Sequence, residues 1–186
     1  MSNITAGAFK GRRLAVPKGL RPTEAKVRLA FFNILGDAIA GARFLDGFAG
    51  SGAVGLEALS RGAAFAAFIE SDTEAVLSIR ENVERLGGEI SREEWRLLHM
   101  DLDRGMRQLA KEGVVFDFIF LDPPYRSDEG KNALNAVVDC AILAPAGWVA
   151  IEYHQRTVLP SAIGPLKEQK RHRYGDTVLS LYQASS

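Results

Sequence analysis

The chain begins with a turn-rich stretch and continues as a regular alternation of short apolar segments and amphipathic ones. In the turn-rich stretch, residues 3–9 and 12–16 are short segments joined around Gly11, a pattern that predicts a β-hairpin. Glycines and prolines then interrupt the pattern. A helix is predicted from about Thr23, whose hydroxyl suits the N-cap position, to the stop signal at Gly36.

The rest of the chain alternates between predicted strands and predicted helices. The strands are expected at residues 43–46, 64–70, 95–100, 115–121 and 148–153. The helices are expected at residues 53–60, 73–86, 103–111 and 128–142. Two last segments, 166–174 and 177–182, predict an antiparallel hairpin. This order predicts an α/β fold with a mostly parallel sheet, helices on both faces and a C-terminal antiparallel hairpin.

Charge separates the same two parts of the chain. The 186 residues hold 23 lysines and arginines against 23 aspartates and glutamates, so the formal net charge is zero. Residues 1–28 hold seven of the bases and one of the acids, which gives +6 there and −6 in the remainder. We therefore expect a basic hairpin extension over residues 1–22 and one domain over residues 23–186. The zero excludes a protein that is basic throughout, but it leaves room for a local nucleic-acid contact.

Composition narrows the class of protein further. With 47% hydrophobic and 25% charged residues, the chain has the composition of an ordinary globular domain. The single cysteine, Cys140, cannot form an internal disulfide, and three scattered histidines make a metal site unexpected. No apolar run reaches the about 18 residues of a membrane span, and the N-terminus lacks an apolar signal core. We expect a cytoplasmic monomer without metal or membrane contact.

In a parallel sheet of this kind, ligands bind beyond the carboxyl ends of the strands, so polar residues there are candidates for function. The first strand ends at Asp46, and a glycine loop follows in which residues 50–55, GSGAVG, fit the pattern G-x-G-x-x-G. Glycines there allow a tight turn and a close approach of a ligand to the backbone. The Asp46 carboxylate would disfavour a diphosphate and favour a cationic or hydroxyl-rich ligand. The alternative is a tight turn that binds nothing.

Two further acids follow the next strands. Glu70 lies 18 residues after Gly52, where an acid can accept hydrogen bonds from both ribose hydroxyls of an adenosine ligand, NAD included. The alternative is a solvated acid at a helix N-terminus, favoured by the helix dipole. Asp101 follows the third strand and can accept from an adenine amine. Equally, Asp101 or Asp103 can be the N-cap of the helix after it.

The fourth strand ends in the most specific motif of the chain, Asp122-Pro123-Pro124-Tyr125. The two prolines fix the backbone and remove two N–H donors. What remains is rich in acceptors, the Asp122 carboxylate and the Pro123 carbonyl, beside the aromatic face of Tyr125. Such a site suits a planar group that carries an NH2. A rigid turn without a ligand is the alternative.

These motifs resemble known methyltransferases. The segments DGFAGSGAVGLEALSRGA and FIFLDPPY are similar to class I AdoMet-dependent methyltransferases that act on exocyclic base amines. The N-terminal pattern, with GAFKGRRLAVP, LRPT and VRLAFFNIL, resembles the RsmD family, bacterial enzymes that methylate the N2 amine of a guanine in 16S ribosomal RNA. The resemblance covers nearly the whole chain and implies a Rossmann-like class I methyltransferase sheet. Leu29 departs from the family pattern, which usually has an acid after the Val-Arg pair.

The resemblance also assigns roles to residues. The tetrapeptide of residues 122–125 would hold the target base and carry catalysis, and residues 21–23 would face the substrate. The cofactor implied is AdoMet, and no metal is implied. The residues expected to hold AdoMet are Asp46, Gly47, Phe48, Gly50, Ser51, Gly52, Glu70, Asp101 and Leu102.

The basic extension suits an RNA clamp, because phosphate contacts position a nucleic acid without reading its sequence. The expected partner is 16S ribosomal RNA or the assembling small ribosomal subunit. For each base taken alone, a solvated side chain is the alternative. A second basic cluster at residues 167–173 could extend the track, although strand alternation would divide its side chains between two faces. The residues expected to contact RNA are Arg12, Arg13, Arg21, Thr23, Lys26 and Arg28.

Three other functions stay open at this point. An adenine-N6 or cytosine-N4 DNA methyltransferase would share the tetrapeptide, although the short chain has no obvious DNA-recognition domain. An NAD-dependent oxidoreductase would share the glycine loop and Glu70, although no hydride-transfer partner follows the fourth strand. A non-catalytic RNA-binding module could keep the same fold, although the intact tetrapeptide argues against it.

Overall fold

The computed structural model describes residues 2–17, 19, 25–86, 88–124 and 128–184, which form an α/β fold. The helices are α1 (Ala25–Leu35), α2 (Ala53–Ser60), α3 (Thr73–Arg85), α4 (Leu102–Lys111) and α5 (Glu129–Cys140), with a 3-10 turn at Gly36–Ile39. The strands are β1 (Ser2–Asn3), β2 (Arg13–Leu14), β3 (Arg43–Gly47), β4 (Phe65–Glu70), β5 (Trp95–His99), β6 (Phe116–Leu121), β7 (Leu143–His154), β8 (Ala162–Ile163), β9 (Leu166–Tyr174) and β10 (Thr177–Ala184). Within these ranges, no helix is both long enough and apolar enough to cross a membrane.

The main sheet has the strand order β5-β4-β3-β6-β7-β10-β9-β8. The strands from β5 to β7 in this order run parallel, whereas β10 pairs antiparallel with both β7 and β9. The predicted fold class, a mostly parallel sheet with a C-terminal antiparallel hairpin, is therefore confirmed. The chain moves outward from β3 to β5 and then returns to β6 on the other side of β3. At such a reversal the loops beyond the carboxyl ends diverge and leave a crevice.

Apolar side chains cover both faces of this sheet. The first face, which carries Phe68 and Phe120, is covered by the N-terminal segment and by α1, α2 and α3. The second face, which carries Ile69 and Leu121, is covered by α4 and α5. Consecutive strand residues point to opposite faces. This alternation therefore assigns a face to each polar residue where a strand ends.

The N-terminal segment, residues 2–17, packs against the first face. It contains the predicted hairpin, although β1 and β2 have only two residues each. Gly7 has a φ of +82°, and a Cβ added to it would lie 1.7 Å from the Ser60 carbonyl oxygen, so a larger residue does not fit. The Ala8 N–H donates to the same oxygen over 2.7 Å. The segment is thus held against the end of α2.

Most predicted elements are present within a few residues of their expected limits, and the exceptions have physical reasons. β7 begins at Leu143, whereas the predicted strand begins at Trp148. Pro145 and Gly147, which lie between these two positions, are residue types typical of turns. In the structure the strand continues through this stretch with an irregular register against β6, and Ala146 takes a φ of +62°. The 3-10 turn and β8 have no counterpart in the prediction, since elements so short show no hydrophobic period. The predicted N-cap at Thr23 lies outside the described residues.

Candidate active site

Four carboxylates lie at the carboxyl ends of four neighbouring strands. Glu70 ends β4, Asp46 lies near the end of β3, Asp122 follows β6, and Glu152 lies near the end of β7. Each of them stands beside, or two residues beyond, an apolar residue of the first-face cluster. Strand alternation therefore assigns all four to the first face. We refer to these four residues as the carboxylate row.

The pKa of Asp46, one member of the row, is strongly shifted. Asp46 is 2% exposed, and burial is the main cause that raises its pKa well above the ordinary value of a carboxyl group. The Gly55 N–H donates to Asp46 Oδ2 over 2.8 Å and lowers the pKa, whereas the charges of Asp122 and Glu70 raise it. Arg28 lowers it by a smaller amount. A positive charge placed beside Asp46 would stabilise the ionised carboxylate and offset the cost of burying it.

Glu70 organises the glycine loop around its two oxygens. The Gly50 N–H donates to Glu70 Oε2 over 2.7 Å, and the N–H groups of Ser71 and Asp72 each donate to Oε1 over 2.8 Å. Gly52, with a φ of +75°, turns the same loop into α2. Oε2 retains a lone pair for a further donor, so the position is compatible with a ribose contact.

The loop after β3 brings its backbone close to neighbouring side chains. A Cβ added to Gly47 would lie 2.8 Å from Leu102 Cδ1, so a larger residue would displace this side chain. Phe48 has a φ of +63°, which is strained for a residue with a side chain. Ser51 is 2% exposed, and its carbonyl oxygen accepts a hydrogen bond from Asn82 Nδ2 over 2.9 Å. The loop is therefore held on both sides.

A groove of about 380 Å³ opens beside this loop, between the start of α4 and α5, and its volume suits a small ligand. Asp101 lines the groove and also caps α4, because its Oδ1 accepts from the Arg104 N–H over 3.0 Å. The choice of N-cap that the sequence left open thus falls to Asp101, and its contact with an adenine amine stays a prediction. The residues that line the groove are Phe48, Asp101, Leu102, Asp103, Glu129, Asn132, Ala133, Asn135, Ala136 and Asp139.

The predicted catalytic tetrapeptide begins at the same edge, directly after β6. Asp122 is partly exposed, Pro123 is buried and Pro124 is exposed. Because neither proline has an N–H group, the Asp122 carboxylate and the backbone carbonyls present acceptors at this point. The predicted site residues outside the described part of the chain are Tyr125, Arg21 and Thr23.

Three of the predicted RNA contacts are exposed side chains. Arg12 pairs with Glu89 over 2.7 Å on the surface. Arg13 is exposed on β2. Lys26 is exposed on α1, and its Nζ lies 6.0 Å from the centroid of the Tyr174 ring. These positions are compatible with phosphate contact, which stays a prediction for each of them.

Arg28 is an exception, and its predicted role as a phosphate contact is wrong. It is 1% exposed, its Nη1 donates to Ser2 Oγ over 3.0 Å, and its Nε lies 3.6 Å from Glu57 Oε2. Burial is the main cause that lowers its pKa, and the charge of Glu57 opposes that shift. Arg28 precedes Phe31 and Phe32 by three and four residues, so helical spacing could have shown that it shares their buried face.

The partner of Arg28 is the centre of a second buried site that the sequence did not indicate. Glu57 is fully buried on α2. Its oxygens accept from the Thr5 N–H over 2.8 Å, the Thr5 hydroxyl over 2.6 Å, the Ala6 N–H over 3.1 Å and Arg61 Nε over 2.9 Å. We call these five residues the Glu57 cluster. It joins the N-terminal segment to the helix that follows the glycine loop.

Glu152 is the other functional candidate that sequence reasoning missed. The other candidates come just after a predicted strand, whereas Glu152 lies inside the strand predicted over residues 148–153. A single acid within that apolar run was the available signal. Across the described residues, the carboxylate row included, no group of three or more histidine, cysteine, aspartate or glutamate side chains could hold a metal ion.

Comparison with known proteins agrees with this geometry. The family model described as "Conserved hypothetical protein 95" matches residues 2–183. Ribosomal RNA small subunit methyltransferase D of Escherichia coli strain K12 is 35% identical over 182 residues, which are 97% of this chain and 88% of that protein. The Bacillus subtilis protein named "Putative rRNA methyltransferase YlbH" is 34% identical over 97% of both chains.

Solved structures give the same relation. The structure described as "Putative methyltransferase yhhF from Escherichia coli" superposes with a TM-score of 0.85 at 34% sequence identity. The superposition covers 99% of this chain and 98% of that one. Fold, motifs and length therefore agree over the whole matched region, and the chain belongs to the conserved hypothetical protein 95 family, the RsmD family that its motifs predicted.

Proposed function

We propose that this protein transfers a methyl group from AdoMet to the N2 amine of a guanine in 16S ribosomal RNA. The observation that carries the proposal is the carboxylate row beside the glycine loop, in a chain 35% identical to a ribosomal RNA small subunit methyltransferase D. The row provides hydrogen-bond acceptors on adjacent strands, where a cofactor and a target amine can be brought together. Family membership supports the substrate class, and the acceptors support an amine as the target.

The edge residues fit AdoMet better than a dinucleotide. AdoMet carries two positive groups, a sulfonium and an ammonium. Either of them would stabilise the ionised form of the buried Asp46 carboxylate. Glu70 Oε2 has a lone pair left for a ribose hydroxyl, and Asp101 offers an oxygen to an adenine amine beside the groove. A diphosphate would instead add negative charge next to Asp46, Glu70 and Asp122. This electrostatic argument disfavours the NAD-dependent alternative.

In the proposed reaction, residues 122–125 position the target base. The N2 amine is a weak nucleophile because its lone pair is delocalised into the ring. The Asp122 carboxylate and the Pro123 carbonyl would accept its two hydrogens and favour a pyramidal nitrogen with a free lone pair. Bound AdoMet supplies an electrophilic methyl and a neutral leaving group. As the new N–C bond forms, the amine proton leaves to Asp122 or to water.

Most of the acceleration would come from placement of the base. A paired or stacked guanine must first be turned out of its helix. The nitrogen must then lie about 3–3.5 Å from the methyl carbon, in line with the bond that breaks. Exposed basic side chains such as Arg13 and Lys26 would hold the RNA through its phosphates during methyl transfer. We expect the protein to act in the cytoplasm as a monomer.

The proposal is tested by transfer of tritiated methyl from AdoMet to RNA and to small ribosomal subunits isolated from cells that lack this enzyme. Nucleoside analysis of the product should place the label in N2-methylguanosine of 16S RNA. Label in N6-methyladenosine or N4-methylcytidine, or transfer to DNA instead of RNA, would contradict the proposal. Comparing free RNA with whole subunits identifies which of the two is the substrate.

A further inference from the structure

Glu152 holds a place on the sheet that the proposed mechanism does not use. β6 and β7 run parallel, with Leu121 opposite Ile151. Continuing this pairing by one residue places Asp122 beside Glu152, at the roughly 4.8 Å spacing of neighbouring strands. This register puts Asp122 and Glu152 at adjacent positions on the first face, and Asp122 is the proposed acceptor for the target amine.

Glu152 is buried, so a hydrogen bond to its carboxylate is strong and the loss of such a bond is costly. It is 2% exposed, and its antiparallel neighbour on β10 is the fully buried Leu179. Hydrogen bonds are stronger in such an environment than in water, and an acceptor that faces another acceptor is correspondingly costly. Asp122, which is partly exposed, forms the accessible side of the pair. A base that reaches Asp122 would meet Glu152 at the next strand.

The chemistry of guanine matches two adjacent acceptors. Its Watson–Crick edge presents the N2 amine next to the N1–H, which are both donors. Adenine and cytosine instead present an amine next to an unprotonated ring nitrogen, which is an acceptor. A second carboxylate beside the amine acceptor therefore favours guanine and opposes the other two bases.

We propose that Glu152 accepts a hydrogen bond from N1–H of the target guanine while Asp122 accepts from its N2 amine. Glu152 is then the residue that selects guanine among the bases with an exocyclic amine. This inference rests on the proposed function and adds to it the source of base specificity. It also explains why the row continues one strand past the proposed catalytic carboxylate.

The test changes the base and residue 152 together. The target guanine, once mapped, is replaced by 2,6-diaminopurine, which keeps the 2-amine but has an unprotonated N1. Single-turnover methylation of the two RNAs is measured with the wild type and with Glu152→Gln. The wild type should prefer guanine by at least about 100-fold, since a site built to accept a hydrogen rejects an analogue without it. The glutamine amide can donate to N1, so the preference should fall at least about tenfold.

Glu168→Gln is the matched control. Glu168 lies in the same sheet, but it pairs with Tyr182 of the second-face cluster and bonds to Arg171. This variant should keep the wild-type preference for guanine. The comparison also removes the contribution of position 6, where 2,6-diaminopurine differs from guanine as well, because that difference is common to all three proteins.

Two outcomes would overturn the inference while leaving the proposed function intact. In one, Glu152→Gln slows both RNAs by the same factor and keeps the preference, which would indicate a purely structural carboxylate. In the other, the wild type distinguishes the two bases by less than about tenfold, a measurement that needs no variant. If the wild type fails to methylate guanine N2 in any RNA, the proposed function itself fails, and the two failures are distinguishable.

Discussion

Asp46 and Glu57 are buried carboxylates eleven positions apart in the sequence, yet their surroundings differ sharply. Glu57 accepts four hydrogen bonds and has two arginines beside it, and these contacts hold the N-terminal segment in place. For Asp46, the hydrogen bond that the structure gives comes from the Gly55 N–H, and its nearest carboxylates raise its pKa. Burial alone therefore does not identify a functional acid. The number and charge of the partners separate a structural carboxylate from one that can receive a ligand.

The largest effect that would sharpen this comparison is expected at Asp122. Asp122→Asn removes the charge of the proposed amine acceptor and places a donor group against the amine. We expect methyl transfer to fall by at least about a thousandfold, because positioning and acceptance of the amine are lost together. AdoMet binding and the melting temperature should change little, since Asp122 is partly exposed.

The measurement for Asp122 is single-turnover transfer alongside isothermal titration with AdoMet. If transfer is retained within about tenfold, the acceptor role fails. If AdoMet binding is lost as well, Asp122 belongs with the cofactor residues.

The next largest effect is expected at Glu57, and it should be on stability. Glu57→Ala leaves the buried Arg28 without its partner and removes the acceptor of Thr5 and Ala6. Breaking a buried ion pair in this way costs about 3–5 kcal/mol. The matched control is Glu89→Ala, which breaks the exposed pair with Arg12 and should cost less than about 1 kcal/mol.

Urea unfolding of the two variants measures both free energies. If both variants lose the same free energy of unfolding, Glu57 does not have the structural role assigned to it here. Any loss of transfer in the folded Glu57 variant should be accompanied by proteolytic sensitivity of the N-terminal segment, which the cluster holds.

A smaller effect with a defined pH dependence is expected at Asp46. Because the folded pKa is raised, the protonated form is favoured in the native state. This contribution to stability is fully present below the ordinary pKa of about 3.8 and is lost as pH rises through the raised pKa. Asp46→Asn removes that loss, so the stability of the variant relative to the wild type should increase with pH.

Thermal unfolding of both proteins between pH 4 and 8 follows this difference. A difference that is constant with pH would contradict the assignment. In the wild type, AdoMet should bind more tightly as pH rises, because deprotonated Asp46 attracts a cation, and Asp46→Asn should abolish that gain.

The same contrast explains which parts of the site could be read from the sequence. Asp46, Glu70, Asp101 and Asp122 each follow an apolar segment, so strand periodicity and the rule of the carboxyl edge were enough to find them. Glu152 escaped because the strand continues past it, to His154. The Glu57 cluster escaped because its members come from three separate parts of the chain, and only tertiary packing joins them. The charge of Arg28 suggests a phosphate contact, whereas its helical spacing from Phe31 and Phe32 puts it on the buried face of α1.

The smallest expected effect concerns the exposed basic side chains, which do not include Arg28 because it is buried in the Glu57 cluster. Arg13→Ala or Lys26→Ala should each weaken RNA binding several-fold and reduce the slope of log affinity against log salt by about 0.7–0.9, the contribution of one phosphate contact. Lys111→Ala is the control, because Lys111 ends α4 at the opposite edge of the sheet from the carboxylate row. Fluorescence anisotropy over a salt series gives the slopes. A slope that falls equally in all three variants would mean that net charge, rather than a clamp beside the edge, attracts the RNA.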